Sequence, residues 1–421
     1  MRGLAHWLAL SLALGLCALG PARAANLPAP AARAVEQQVL VMLRLPAQHF
    51  TSEGYSDGYG GGGARAARRR IADRLAHAHG LTLVSGWPMP LVGVDCFIMA
   101  VPSGQSPADV AAALSREHDV EWSEPVQVYR TQAAAQGGAA AAPNDPLYRL
   151  QPAAVTWRLA DLHQIATGRN VRVAVVDSQV DTRHPDLAGQ VQVNEDFVLD
   201  HPRRPELHGT GVAGVIAAVA DNGKGIAGIA PGARLMALRA CWQAPDGPAT
   251  VCDTLSLAKA IHFAIDNGAQ VINLSLTGPP DLLLGKLIDV AMARGAVVVG
   301  AVDSRLAHGG FPASHPGVIA VTDDPTRAPE PGVYLAPGRD VPTTAPGGGW
   351  SLVNGSSFAA AHVSGLVALA REKSPRTHRP PTLAMLRSGA IDACATVIAA
   401  PSACHDCACG RPATLAAMAR P

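Results

Sequence analysis

Three short segments of this 421-residue chain carry side chains that can do chemistry together. Val175-Val176-Asp177-Ser178 places a carboxylate at the end of an apolar run. His208-Gly209-Thr210-Gly211-Val212-Ala213-Gly214 places an imidazole at the mouth of a small-residue helix. Asn354-Gly355-Ser356-Ser357-Phe358 places two hydroxyls at the start of another. Each alone is more often structural: a strand-end Asp caps, a lone His packs, a Gly-Ser-Ser run turns. In the order Asp…His…Ser they supply a proton relay. A serine hydroxyl needs a neutral imidazole to take its proton, and the imidazole needs a buried carboxylate to fix its tautomer and stabilise its charged form. A helix starting at the serine adds a backbone N–H that can hold an oxyanion. The G-x-S-x-G elbow of lipase-type hydrolases, with its order Ser…Asp…His, does not fit, because Ala359 stands two residues after Ser357.

Such a relay must be positioned by rigid elements. Val171 to Val176 reads as a buried strand, and Arg234 to Arg239, Gln270 to Leu274 and Ala296 to Val299 as further short apolar strands. Helices are expected over Gly209 to Val219, Ser256 to Asn267 and Leu282 to Arg294. Strands alternating with helices imply an α/β fold with a doubly wound, mainly parallel sheet. In such sheets chemistry collects at the carboxyl ends of the strands.

The preceding part reads differently. A strand over Gln38 to Leu45, a basic helix over Arg68 to His79, strand-like runs in Leu81 to Pro102, a helix over Ser106 to His118 and a strand over Asp119 to Tyr129 suggest a small α+β, ferredoxin-like domain at about 38–130. Ser106 and Pro107 are the N-cap and first-turn residues of its second helix. Gly54 to Gly63 is glycine-rich and reads as a loop, and 131–143 is a low-complexity linker or processing zone. Residues 1–24 carry Arg2, an apolar run from Leu4 to Leu19 and a small-x-small site at Ala22-Arg23-Ala24, the pattern of a cleaved export signal. At 48% hydrophobic residues the chain can bury a large core, and a net charge of +1 gives no global basic field for nucleic acid. No other segment is apolar for a full membrane span.

Taken together, these segments resemble the subtilase superfamily of serine proteases, peptidase family S8. The resemblance runs from about Asn144 to Arg420. It includes Asn144-Asp145-Pro146-Leu147-Tyr148, the run Asn222 to Pro231, Val271-Ile272-Asn273-Leu274-Ser275-Leu276 and Tyr334-Leu335-Ala336-Pro337-Gly338. Residues 38–130 resemble the family's inhibitory propeptide, ending in Val120-Glu121-Trp122-Ser123-Glu124-Pro125. The resemblance implies a signal peptide at 1–24, a propeptide at 25–130 and a catalytic domain at 144–421. It also implies a secreted or periplasmic serine endopeptidase, monomeric and made as a self-processing zymogen. Extended polypeptides would be its substrates and its own propeptide an intramolecular inhibitor. Asp177 would orient the histidine, His208 would be the general base and then acid, and Ser357 the nucleophile, with Ser356 standing where the family usually has Thr. Ser275, Leu276, Thr277 and Gly278 match the strand that pairs with substrate backbone, an edge-strand addition. Gly300, Ala301 and Val302 match the facing wall of the cleft.

The sequence departs from the family most at the oxyanion hole, which there combines the nucleophile's backbone N–H with an Asn. Asp303 stands in its place. An Asn amide donates to developing charge, whereas an ionised Asp only accepts and repels it. A protonated Asp303 would still donate, so an activity optimum shifted toward acid is one expectation. The other is that the Ser357 N–H and a water suffice. A catalytically impaired, peptide-binding subtilase is the alternative function. Gln179, Gly211 and Ala361 replace a common Gly, His and Pro and touch no proton transfer. Thr277 and Val302 replace Gly and are expected to narrow the cleft toward small P1 side chains.

The chemistry needs no cofactor. Many subtilases bind calcium, so the resemblance allows a structural calcium, with no carboxylate cluster or metal ligand assigned to it. Cys17 falls in the leader and Cys96 in the propeptide, leaving Cys241, Cys252, Cys394, Cys404, Cys407 and Cys409. In an exported chain these read as disulfide candidates. A Cys241–Cys252 bridge would pin the loop between them, a closure worth about 3 kcal/mol in the chain-entropy picture. The other four allow three pairings, and Cys404, Cys407 and Cys409 also have the spacing of a zinc clip.

Overall fold

A computed structural model describes residues 37–44, 60–130, 134–136, 144–199, 201–244, 249–326, 330–374, 381–386 and 388–398. The N-terminal part holds four strands, β1 (Gln38–Arg44), β2 (Thr82–Met89), β3 (Val94–Ala100) and β4 (Val120–Pro125), and helices α1 (Gly60–Ala78) and α2 (Pro107–Leu114). The sheet order is β2-β3-β1-β4, and all three pairings are antiparallel. This is the ferredoxin-like arrangement, with the expected strand-like stretch 81–102 divided into a hairpin. Ser106 Oγ accepts from Asp109 N at 3.4 Å, so the predicted cap forms.

The sheet of this domain is apolar on both faces, and the period-two alternation of strand β1 explains why. Val39, Val41 and Leu43 turn to the domain's own helices and pack with Leu75, Ala76 and Leu114. Leu40 and Met42 turn the other way and join Cys96 and Ile98 in a core shared with the larger domain.

Two short strands follow, β5 (Val128–Arg130) and β6 (Ala134–Gln136). The larger domain is built on β7 (Arg172–Asp177), β8 (Val191–Asp196), β9 (Arg234–Arg239), a hairpin of β10 (Cys241–Gln243) and β11 (Thr250–Asp253), and then β12 (Val271–Leu274), β13 (Val297–Ala301), β14 (Ile319–Thr322) and β15 (Val333–Leu335). A second hairpin, β16 (Val341–Ala345) and β17 (Gly349–Asn354), comes last. Seven strands form one sheet in the order β15-β14-β13-β12-β7-β9-β8, every pair parallel. Strand β7 is central and buried on both faces: Val173 and Val175 join one core, Ala174 and Val176 the other. Helices α3 (Leu207–Ala217) and α6 (Ser356–Lys373) cover the first face, and α4 (Thr254–Asp266) and α5 (Leu282–Ala293) the second. The doubly wound expectation therefore holds.

The N-terminal sheet docks on α4 and α5. Lys259 of α4 places its Nζ 4.6 Å from the Trp87 ring, and Lys286 of α5 places its Nζ 5.3 Å from the Trp122 ring. Glu124 of β4 accepts from Leu282 N and Leu283 N at 3.1 and 3.2 Å, satisfying orphan donors of the α5 N-terminus. Asp281, the N-cap of that helix, accepts from Leu284 N at 2.9 Å and from the Thr254 hydroxyl at 2.8 Å. Two carboxylates from two domains thus converge on one helix end. Burial, with the Asp281 carboxylate adding to it, pushes Glu124 up to about 7.

The docked form therefore holds a proton more tightly than a free glutamate does. Its stabilisation is complete below about pH 4.5 and is lost as pH rises through 7. Glu124→Gln keeps the shape and removes the titration. Thermal unfolding of the full chain at pH 4.5, 6 and 7.5 checks this: the wild type should lose melting temperature relative to the variant as pH rises. Parallel curves would refute it.

Candidate active site

Asp177 is the last residue of β7 and is 1% exposed. Its Oδ1 accepts from its neighbour Ser178 N at 2.6 Å and from His208 Nδ1 at 2.7 Å. That second bond assigns the imidazole tautomer, because Nδ1–H is committed to the carboxylate and Nε2 is left as the acceptor. Nε2 is buried and makes no hydrogen bond among the described residues. His208 reaches this position because α3 approaches the end of β7 without side chains in the way. A Cβ on Gly209 would lie 2.2 Å from the Ser178 carbonyl oxygen, so only glycine fits. Gly211 has a similar reason. A Cβ there would meet Thr343 at 2.9 Å, and Thr343 Oγ1 donates to the Gly211 carbonyl at 2.6 Å.

Ser357 is the second residue of α6 and is fully buried. Its hydroxyl donates to the Ser275 carbonyl at 3.0 Å, just past β12. Beneath it runs a buried chain of donors. Ser364 Oγ donates to Asn273 Oδ1 at 2.9 Å, Asn273 Nδ2 donates to Ser275 Oγ at 2.9 Å, and Ser275 Oγ donates to the Ser357 carbonyl at 2.8 Å. The neighbouring hydroxyl, Ser356 Oγ, donates to Asp323 at 2.8 Å. The His208 ring lies 5.6 Å from the ring of Phe358, the residue after Ser357, so the imidazole and the serine helix meet. Asp177 and His208 are thus hydrogen-bonded, and the start of the Ser357 helix lies beside the imidazole ring.

The cleft beside them is lined by the chain itself. Strand β5 adds antiparallel to β11, with Tyr129 opposite Cys252, and Arg130 exchanges two 2.9 Å backbone bonds with Thr277. On the other side β6 pairs antiparallel with β17, with Ala134 opposite Asn354. Tyr129 is buried against Gly278, where a Cβ would stand 2.2 Å from its ring. A cavity of about 530 Å³ opens between β5 and the segments around Thr277–Pro280 and Asp303–Phe311.

Of the expected cleft residues, Thr277 and Gly278 line this cavity. Ser275, Leu276, Gly300 and Ala301 are buried beneath it. Val302 is a correction. It is buried under Gly309, whose Cβ would meet it at 3.0 Å, and it is not among the residues that line this cavity. Of the two expectations for Asp303, the protonated donor is corrected. Its Oδ1 accepts from Arg305 N and Nε at 2.9 and 3.0 Å, and its Oδ2 from Arg305 Nη2 at 2.9 Å. This is a bidentate ion pair, which requires the carboxylate and not the neutral acid. Arg305, Arg130, Asn273 and Ser364 were not anticipated. Arg305 alone had a local signal, a cation two residues after the unusual Asp.

Cys241 and Cys252 form a disulfide across the β10–β11 hairpin. Cys394 is also disulfide-bonded, while Cys404, Cys407 and Cys409 lie outside the described residues, as does the leader 1–24. Among the described residues no group of three or more His, Cys, Asp or Glu is placed to hold a metal ion, and no helix is long and apolar enough to cross a membrane.

Comparison with known proteins agrees with this geometry. The sequence pattern of the subtilase family matches residues 168–390. A thermophilic serine proteinase of Bacillus sp. (strain AK1) is 36% identical over 276 residues, covering 62% of this chain and 65% of that protein. Subtilisin E of Bacillus subtilis (strain 168) is 36% identical over 226 residues, covering 50% of this chain and 57% of that protein. The crystal structure of fervidolysin from Fervidobacterium pennivorans, described as a keratinolytic enzyme related to subtilisin, superposes with a TM-score of 0.63 at 24% identity. It covers 86% of this chain and 61% of that one. The fold class is thus that of the subtilisin-like α/β proteins, and the chain belongs to the subtilase family.

The buried donor chain gives a direct test of the site's support. Asn273→Ala leaves the Ser364 hydroxyl without its acceptor and Ser275 Oγ without its donor. Unfolding by urea or heat should show a loss of about 1–3 kcal/mol. An unchanged stability would mean the network carries no weight.

Proposed function

We propose that this chain is an exported serine endopeptidase, made as a zymogen and acting as a monomer, with Asp177, His208 and Ser357 as its triad. The observation that carries the proposal is the 2.7 Å bond from His208 Nδ1 to buried Asp177 beside the start of the Ser357 helix. A rotation about the Ser357 Cα–Cβ bond takes Oγ from the Ser275 carbonyl toward Nε2. His208 then accepts the hydroxyl proton as Oγ attacks the scissile carbonyl. Asp177 stabilises the imidazolium that forms. The Ser357 backbone N–H faces the developing oxyanion at the helix N-terminus. His208 passes the proton to the leaving amine, and a water, deprotonated in turn by His208, releases the acyl group.

Substrate would bind as an added strand between β11 and Thr277, the place β5 now occupies. That occupancy supports an inhibitory role for residues 38–130, and the raised Glu124 supports their release as pH rises. The chain pairs on one side of the serine at Arg130 and on the other at Ala134. Self-cleavage therefore falls between these two residues.

Three measurements check the reading. A fluorophosphonate probe should label the processed protein, and the label should vanish in Ser357→Ala. The processed protein's N-terminus should begin between residues 131 and 134. Asp177→Asn should lower kcat by about 10⁴-fold, since the wrong tautomer is then presented. The alternative, peptide binding without cleavage, draws only on Asp303, and a wild type that no probe labels would favour it.

A further inference from the structure

The carboxylate that stands in the family's Asn position is not bare. Asp303 is 6% exposed, and its two oxygens take three donors from a single residue, Arg305. One of those donors is the Arg305 backbone N–H, so the carboxylate is folded back onto its own loop. The loop is tied at both ends of the Asp303 backbone: its N–H donates to the Gly309 carbonyl at 2.8 Å and its carbonyl accepts from Leu306 N at 3.0 Å. The Arg305 side chain is itself 74% exposed, and the Asp303 carboxylate raises its affinity for a proton further. The pair joins a buried carboxylate to an exposed guanidinium, so it neutralises a charge that burial would otherwise make costly. The charged and titratable side chains on the cavity are Arg130, Asp303, Arg305 and His308.

We propose that Arg305 is a positioning residue for catalysis. It turns the Asp303 carboxylate back onto the loop and cancels its charge, so that the oxyanion forms on the Ser357 N–H without facing a free anion. A negative charge near the reacting carbonyl opposes the transition state more than the ground state, so it acts on kcat and little on KM. The proposal rests on Ser357 being the nucleophile. It assigns Asp303 neither a donor role nor a simple loss: the pair Asp303–Arg305 is the unit that replaces the family's amide.

The test is a cycle of Arg305→Ala, Arg305→Lys, Asp303→Asn and Asp303→Asn/Arg305→Ala. It is read by self-cleavage of the full chain and by kcat and KM of the processed enzyme on a peptide. Arg305→Ala should lower kcat by about 10- to 100-fold at neutral pH with KM nearly unchanged, short of or equal to the ~10²–10³ that a lost oxyanion donor costs. The loss should shrink at acid pH, where the unpaired Asp303 is protonated. Arg305→Lys should restore part of the rate. In the Asp303→Asn background the Arg305→Ala change should cost less than about twofold, because there is no charge left to cancel. Equal losses in both backgrounds, or a change confined to KM, would overturn the proposal and make Arg305 a substrate contact. An active wild type indifferent to Arg305→Ala also overturns it alone. A wild type that neither cleaves itself nor takes the fluorophosphonate label removes the protease reading, and this proposal with it.

Discussion

The hydrogen bond between His208 Nδ1 and Asp177 Oδ1 is the constraint from which most of the larger domain follows. It requires a helix start and a strand end to meet at 2.7 Å between side chains of modest length. Strand β7 is placed for this, held on one side by β12 and on the other by β9, so its last residue has little freedom. Helix α3 then has to come down onto that residue. Its small side chains are the means: Gly209 clears the Ser178 carbonyl, and Gly211 and Gly214 clear Thr343 and Thr344. The two threonines return hydrogen bonds to the Gly211 and Thr210 carbonyls, which fixes the helix on the β16 strand as well.

Ser357 is positioned from the same side of the sheet. Helices α3 and α6 share one face, and Ser357 is anchored through Ser275, Asn273 and Ser364 to the strand next to β7. The opposite face carries α4 and α5, and it is there that the N-terminal domain docks. The sheet thus separates two tasks. One face carries His208 and Ser357, and the other receives the N-terminal domain, whose chain continues into β5 along the cleft. The disulfide of the β10–β11 hairpin sits on the strand that receives it, with Cys252 opposite Tyr129.

Two carboxylates in this protein occupy positions where an uncompensated negative charge would be costly, and they are managed differently. Asp303 is met by a permanent cation from its own loop. Glu124 is met by the N–H groups of a helix end and of Trp122 and, among the described residues, by no ion pair, with Asp281 close by, so its charge is tolerated only in part and its proton is held to about pH 7. The second arrangement is sensitive to pH over the neutral range. A permanent neutraliser suits a group in the reaction cleft.

Much of this was legible along the chain. The apolar runs, the N-cap at Ser106, the small residues after His208 and the Asp…His…Ser order depend on local chemistry and on spacing, which a sequence displays directly. Together they determined the doubly wound class and the ferredoxin-like N-terminal domain, and they singled out Asp177, His208 and Ser357 as candidates. What the tertiary structure decided concerns groups that meet only after folding. Val302 reads as a cleft residue but is turned under Gly309, because alternation along an extended segment sends neighbouring side chains to opposite sides. Asn273 and Ser364 are 91 residues apart and become partners only when α6 lies on β12. The charge state of Asp303 could not be read from its type, since a carboxylate in a cleft is acid or anion according to its neighbours, and the guanidinium of Arg305 had to be placed before that was known.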